Sequence, residues 1–182
     1  MIKNILFKTN EQKALSFLLL HPEKQFLEKE IREATGVSRS GINYAMRKLA
    51  RAKLVEEEIR GRMKFYRTDL SNPFLRQFKI LQTLITLFPL FEKIKKASRK
   101  IILFGSAASG TNTEESDFDI FILTNHPEIV FKFFHNSSLR EKTQPIIKTP
   151  LQYVNLEKKE PAFFEQINRG IILWEGSDGS GI

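Results

Sequence analysis

Apolar positions recur every three or four residues through EQKALSFLLLHP (11–22), and Pro22 ends the run, so the pattern predicts a first amphipathic helix there. The same period continues in FLEKEIREATGVSRSGINYAMRKLARAKLVEEE (26–58). It predicts a helix over 28–34 with Ile31 and Ala34 inward, a tight turn at Gly36, and a second helix capped by Ser38 that turns Ile42, Met46 and Leu49 inward. KLVEEEIRGRMKFYRTDL (53–70) then alternates about Arg60-Gly61-Arg62, which reads as a β-hairpin. Over 73–99 two stripes run at spacings of three and four: Phe74, Phe78, Leu81, Ile85, Phe88 and Ile80, Leu84, Leu87, Phe91, Ile94. Pro89 is expected to kink or break that helix. Further on, short apolar runs predict strands over 101–104, 118–123 and within EKTQPIIK (141–148). FKFFH (131–135) and Trp174 are expected to pack in a core, PAFFEQINRGIILWEG (161–176) reads as a helix and a strand, and the tail GSDGSGI is expected to fray.

Composition narrows the class. With 182 residues and 41% apolar content, the chain can hold two small domains with real cores. The absence of cysteine removes disulfides and thiolate metal sites and fits a cytoplasmic protein. Lys3, Lys8, Glu11 and Lys13 interrupt any signal-peptide core, and no apolar run is long enough to span a bilayer, so no membrane role is expected. His21, His126 and His135 show no metal-ligand spacing.

Charge divides the chain. Residues 1–69 hold 15 Lys/Arg against 9 Asp/Glu, residues 70–100 hold 7 against 1, and residues 101–182 hold 7 against 11. A basic front and an acidic back point to different partners, a polyanion for the first and a metal or cationic group for the second, although a basic surface also serves solubility.

In the front, the second helix offers Arg39, Ser40, Asn43, Tyr44 and Arg47 on its outer face, and the hairpin tip offers Arg60, Arg62 and Lys64. Such side chains donate to phosphates and read base edges. The order helix, helix-turn-helix, hairpin over about 10–69 resembles the winged helix-turn-helix domains of bacterial and archaeal transcription regulators. That resemblance implies double-stranded DNA as partner, with the basic tip lying along the phosphates. A protein-interaction module built on the same fold is the alternative. One of the two stripes over 73–99 can pack against the domains and the other can serve a homodimer seam, which would match two DNA half-sites.

In the back, FGSAASGTNTEESDFD (104–119) ends in Asp117 and Asp119, two carboxylates whose side chains point the same way on a strand. Folding does not require such a pair, and a cation between them removes their repulsion. Gly105-Ser106, ten residues, then Asp-x-Asp before an apolar strand resembles the signature of the DNA polymerase beta-like nucleotidyltransferases, the small stand-alone type above all, over about 100–175. The resemblance implies Mg²⁺, bound singly or as a pair by Asp117 and Asp119 as catalytic carboxylates. It also implies an NTP as substrate or ligand, held near Gly105, Ser106 and Ser116. The chain departs from that pattern twice. Gln144 or Ile146 stands where a third carboxylate is usual, with Glu141 at the strand's edge, and Ser109 stands where an arginine often precedes the glycine.

The expected architecture is thus α+β: a winged helix-turn-helix over 1–69, a bridging helix over 70–99, and a nucleotidyltransferase-like domain with a small mixed sheet over 100–182. The expected function is a DNA-binding nucleotidyltransferase acting on a protein or RNA acceptor. The alternative is a transcription regulator whose back domain only binds nucleotide or a partner, such as a toxin that it counteracts.

Overall fold

A computed structural model describes residues 6–22 and 24–176; residues 177–182 of the tail lie outside the described residues. The chain divides into two compact units, Met1–Ile85 and Thr86–Ile182.

The first unit runs α1 (Asn10–Leu20), β1 (Phe26–Leu27), α2 (Glu28–Thr35), α3 (Arg39–Arg51), β2 (Glu56–Arg60) and β3 (Met63–Arg67). Local chemistry sets the helix ends. Thr9 and Gln12 exchange side-chain and backbone hydrogen bonds at the start of α1. Gly36 closes α2 at φ +66°, a conformation that disfavours any Cβ, and Ser38 accepts the Gly41 N–H at 3.2 Å to open α3. Ile31, Ile42, Met46 and Leu49 pack with Leu15, Leu18 and Leu19 of α1 in one core. Each such buried side chain stabilises the fold by about 1.5–3 kcal/mol. Ala34, expected inward, is exposed, and Val37 is buried instead. Helix α2 is too short to present a second inward position, so the next apolar anchor falls in the turn. The three strands pair antiparallel in the order β1-β3-β2, with the Tyr66 ring buried at the centre.

Helix α4 (Pro73–Ile94) is continuous through Pro89. Proline forfeits one backbone hydrogen bond, and burial of Leu87 and Leu90 on either side of it offsets that loss. Of its two stripes, Ile80, Leu87 and Ile94 are buried, whereas Phe74, Leu81 and Phe88 are 61%, 43% and 37% exposed at seven-residue intervals.

The second unit is a mixed sheet in the order β6-β5-β4-β7. Strand β4 (Lys100–Phe104) leads into the short helix α5 (Gly105–Ser109), and β5 (Phe118–Leu123) returns antiparallel to β4. After α6 (Pro127–His135), β6 (Thr143–Lys148) joins parallel to β5. Then α7 (Pro150–Lys159) and α8 (Pro161–Asn168) lead to β7 (Ile171–Glu175), antiparallel to β4. Residues 141 and 142, expected in β6, lie instead in a 3₁₀ turn over Arg140–Lys142. Leu156 of α7 and Ile167 of α8 pack on Ile102, Phe104 and Phe121. Helix α6 buries one stripe, Val130 and Phe134, so Phe131 and Phe133 are exposed rather than core. Trp174 lies half-exposed, its ring centroid 5.6 Å from the Lys95 ammonium.

Helix α4 also buries Lys79 to 1% exposure, and burial pushes its ammonium down to about 8. A lysine depressed in the folded state contributes stability that is complete above its unfolded value of about 10.4 and is lost as pH falls through 8. Unfolding free energy measured by urea titration should therefore rise between pH 8 and 10 in wild type. Lys79→Met should flatten that rise.

Candidate functional site

The site is built where β4 gives way to α5. Phe104, the last residue of β4, pairs with Asp119 of β5, which places the Asp119 side chain beside Gly105. Gly105 takes φ +69°, and a Cβ there would collide with the Asp119 carboxylate. Only glycine lets the backbone turn at that point while the acid stays. Asp117 stands immediately before β5, one residue from Phe118, so both acids face the same side of the strand.

Strand β6 completes the surroundings. In the parallel register Gln144 is the partner of Asp119, and its amide nitrogen donates to Asp117 Oδ2 at 2.7 Å. The residue where a third carboxylate was expected is thus a neutral donor that ties up one oxygen of the pair. The Asp119 carboxylate accepts no hydrogen bond among the described residues. Burial holds its carboxyl above the ordinary range, and the Asp117 charge adds to the shift. Glu141 lies in the 3₁₀ turn, outside the strand. Among the described residues, no group of three or more His, Cys, Asp or Glu is placed to hold a metal ion.

The other loop residues divide between two tasks. The Ser106 hydroxyl makes no hydrogen bond among the described residues. Ser116, expected near the nucleotide, closes the loop before β5: its Oγ accepts the Thr113 N–H at 2.8 Å. Lys142 Nζ pins the same loop by donating to the Glu114 carbonyl at 2.5 Å. Beside Gly105 opens a cleft of ≈ 720 Å³, within the usual range for small-molecule sites. Gly105, Ser106, Ser109 and Thr111 line one wall, and Glu165 and Arg169, at the end of α8, line the other.

On the first unit, Arg39, Ser40, Asn43, Tyr44 and Arg47 are exposed along α3. Asn43 donates to Glu28 at 3.1 Å, and Lys48 pairs with Glu11 at 2.7 Å. The hairpin is charge-compensated to a degree that the sequence pattern did not suggest. Glu56 pairs with Arg67 at 2.6 Å, Glu57 with Lys64 at 3.1 Å, and Glu58 with Arg60 at 2.7 Å. Arg39, Arg47 and Arg62 have no such ion pair among the described residues.

A family model for polymerase beta nucleotidyltransferases matches residues 68–178, which take in the whole strand, Gly-Ser turn and paired-acid strand. The chain belongs to this nucleotidyltransferase family. Among solved structures, the AF1382 protein from Archaeoglobus fulgidus is 21% identical with a TM-score of 0.38, over 48% of this chain and 97% of its own. A candidate nucleotidyltransferase from Sulfolobus solfataricus is 18% identical with a TM-score of 0.35, over 57% of this chain and 94% of its own. No curated protein matches the chain.

Two features of the nucleotidyltransferase unit escaped the sequence reading. The Gln144–Asp117 hydrogen bond depends on the β5–β6 register, which no local pattern specifies. Glu165 and Arg169 are spaced i, i+4 in PAFFEQINRG, and that spacing was the available signal for a charged pair on one helix face.

The Asp119 shift makes a testable statement. An acid held above its ordinary value contributes stability that is complete below about pH 3.9, the unfolded carboxylate value, and is lost as pH rises through the folded one. Ionised Asp119 is therefore a net cost at neutral pH. Asp119→Asn should raise unfolding free energy at pH 7 by on the order of 0.5 kcal/mol, since solvent screens this half-exposed site. The gap between variant and wild type, followed by thermal denaturation in metal-free buffer, should close as pH falls below about 4.

Proposed function

We propose that the second unit binds a nucleoside triphosphate with Mg²⁺ and transfers its nucleoside monophosphate to a protein or RNA acceptor. One observation carries this reading: Asp117 and Asp119 share a face at the start of β5, and Asp119 is pressed against Gly105 without a hydrogen-bond donor. Hard carboxylate oxygens suit Mg²⁺, and Asp117 and Asp119 would hold it. When bound, the ion neutralises the triphosphate and activates the attacking oxygen. The chain's own residues do the positioning. Gly105 admits a phosphate close to the backbone, and the Ser106 hydroxyl is available to donate to it.

Incubation with Mg²⁺ and each labelled NTP, with RNA and protein acceptors supplied, should give labelled acceptor. Asp117→Asn should lower transfer by at least the 10–100-fold that loss of a metal ligand's supporting partner costs such sites. Gln144, a neutral residue hydrogen-bonded to Asp117, favours a second reading, a regulator that binds nucleotide or a partner such as a toxin without turnover. Calorimetric Mg²⁺–NTP binding with no transfer from any of the four NTPs would establish that reading instead.

For the first unit we propose a winged helix-turn-helix that reads double-stranded DNA, and for α4 a seam that pairs two copies along Phe74, Leu81 and Phe88. Support comes from the polar outer face of α3 and from the seven-residue spacing of the exposed stripe. Arg60 and Lys64 each face a carboxylate of the hairpin whereas Arg39, Arg47 and Arg62 do not, so we expect the strongest phosphate contacts from those three, with Arg60 and Lys64 contributing more weakly once their exposed pairs open. Alanine at those three arginines should weaken binding to all duplexes and reduce the salt slope by about one unit per lost contact. Arg60→Ala should lower that slope by less than one unit, because its exposed pair with Glu58 must first open, and Asn43→Ala should narrow the gap between specific and random DNA. Leu81→Ser should halve the solution mass. Duplex affinity weaker than about 10⁻⁴ M at physiological salt would sink the DNA reading.

A further inference from the structure

We propose that Arg169 is the clamp for the polyphosphate end of the nucleotide, and that Glu165 is the internal anion the nucleotide displaces. The inference rests on the nucleotide reading above and names how the same site holds its ligand. The cleft is lined both by Gly105, the residue touching Asp119, and by Arg169 at the C-terminal end of α8. Arg169 is the cation among its lining residues, and Glu165 is the anion.

The facing wall cannot supply a second charge. Position 109, where the resemblance implied an arginine, is a serine whose hydroxyl bonds to the Ser106 carbonyl at 3.0 Å and lies 2.9 Å from the Thr111 hydroxyl. Any guanidinium for a phosphate in this cleft must therefore come from α8. A guanidinium matches phosphate oxygens with two parallel N–H donors, which a lysine or a hydroxyl does not. Arg169 now donates to Glu165 at 3.1 Å, with side chains 82% and 67% exposed. An exposed i, i+4 pair of this kind is worth only a few tenths of a kcal/mol. A multiply charged polyphosphate outcompetes that single carboxylate, so the pair opens without disturbing the fold.

The test is calorimetry on the full chain with Mg²⁺ and three probes: inorganic triphosphate, the four NTPs, and orthophosphate. Loss of a charge-assisted hydrogen bond predicts that Arg169→Ala weakens triphosphate and NTP binding by about tenfold or more, with orthophosphate unaffected. Glu165→Gln should tighten both triphosphate and NTP, because the competing anion is gone. Unchanged triphosphate affinity in Arg169→Ala, or in Glu165→Gln, overturns the clamp while leaving the nucleotide reading intact. Failure of wild type to bind any NTP overturns both.

Discussion

The repulsion between Asp117 and Asp119 is the constraint around which the second unit is arranged. Two like charges on one strand face gain nothing from packing, and burial makes ionisation of Asp119 harder still. The neighbours accommodate the pair without neutralising it. Gly105 gives up a side chain so that the carboxylate fits, and Gln144 offers a dipole to Asp117 but no charge. Behind them, Ile102, Phe104 and Phe121 anchor the strands that carry the acids. A rigid apolar sheet thus holds an unfavourable polar edge in place, as sites that spend folding stability on ligand binding do.

Much of this architecture was legible because it depends on short-range chemistry. Ser38 as a cap, Gly36 as a left-handed turn, and Ile42, Met46 and Leu49 as one helix face all follow from spacings of three and four. The Gly-Ser turn and paired acids were legible for the same reason, since both lie within one stretch of chain. What stayed hidden depended on partners far along the sequence or on competition between terms. Ala34 was misplaced because a helix of two turns has one inward anchor. Pro89 did not end α4 because flanking burial outweighed one hydrogen bond. Arg169 drew no attention because only the fold brings α8 to face α5.

Charge shows the same limit. The excess of Lys and Arg over residues 1–69 suggested a uniformly basic face, yet three consecutive glutamates on β2 meet three cations on the hairpin. A net count cannot distinguish a cation facing water from one facing a carboxylate three ångströms away. Arg39, Arg47 and Arg62 are among the cations that no carboxylate of the hairpin offsets, so their field extends outward.

The hydrogen bond from Gln144 to Asp117 has an evolutionary reading. Glutamine and glutamate share one shape, and their codons differ at a single base. The chain therefore sits one mutational step from a face with three acids. The step is reversible in sequence but not symmetric in chemistry. Toward glutamate, a donor becomes a third repelling charge, tolerable only where a metal ion is at hand. Toward glutamine, the pair gains an internal partner and depends less on any ion. Position 144 is thus a place where a single base change exchanges an internal donor for a third acid, with the backbone unchanged.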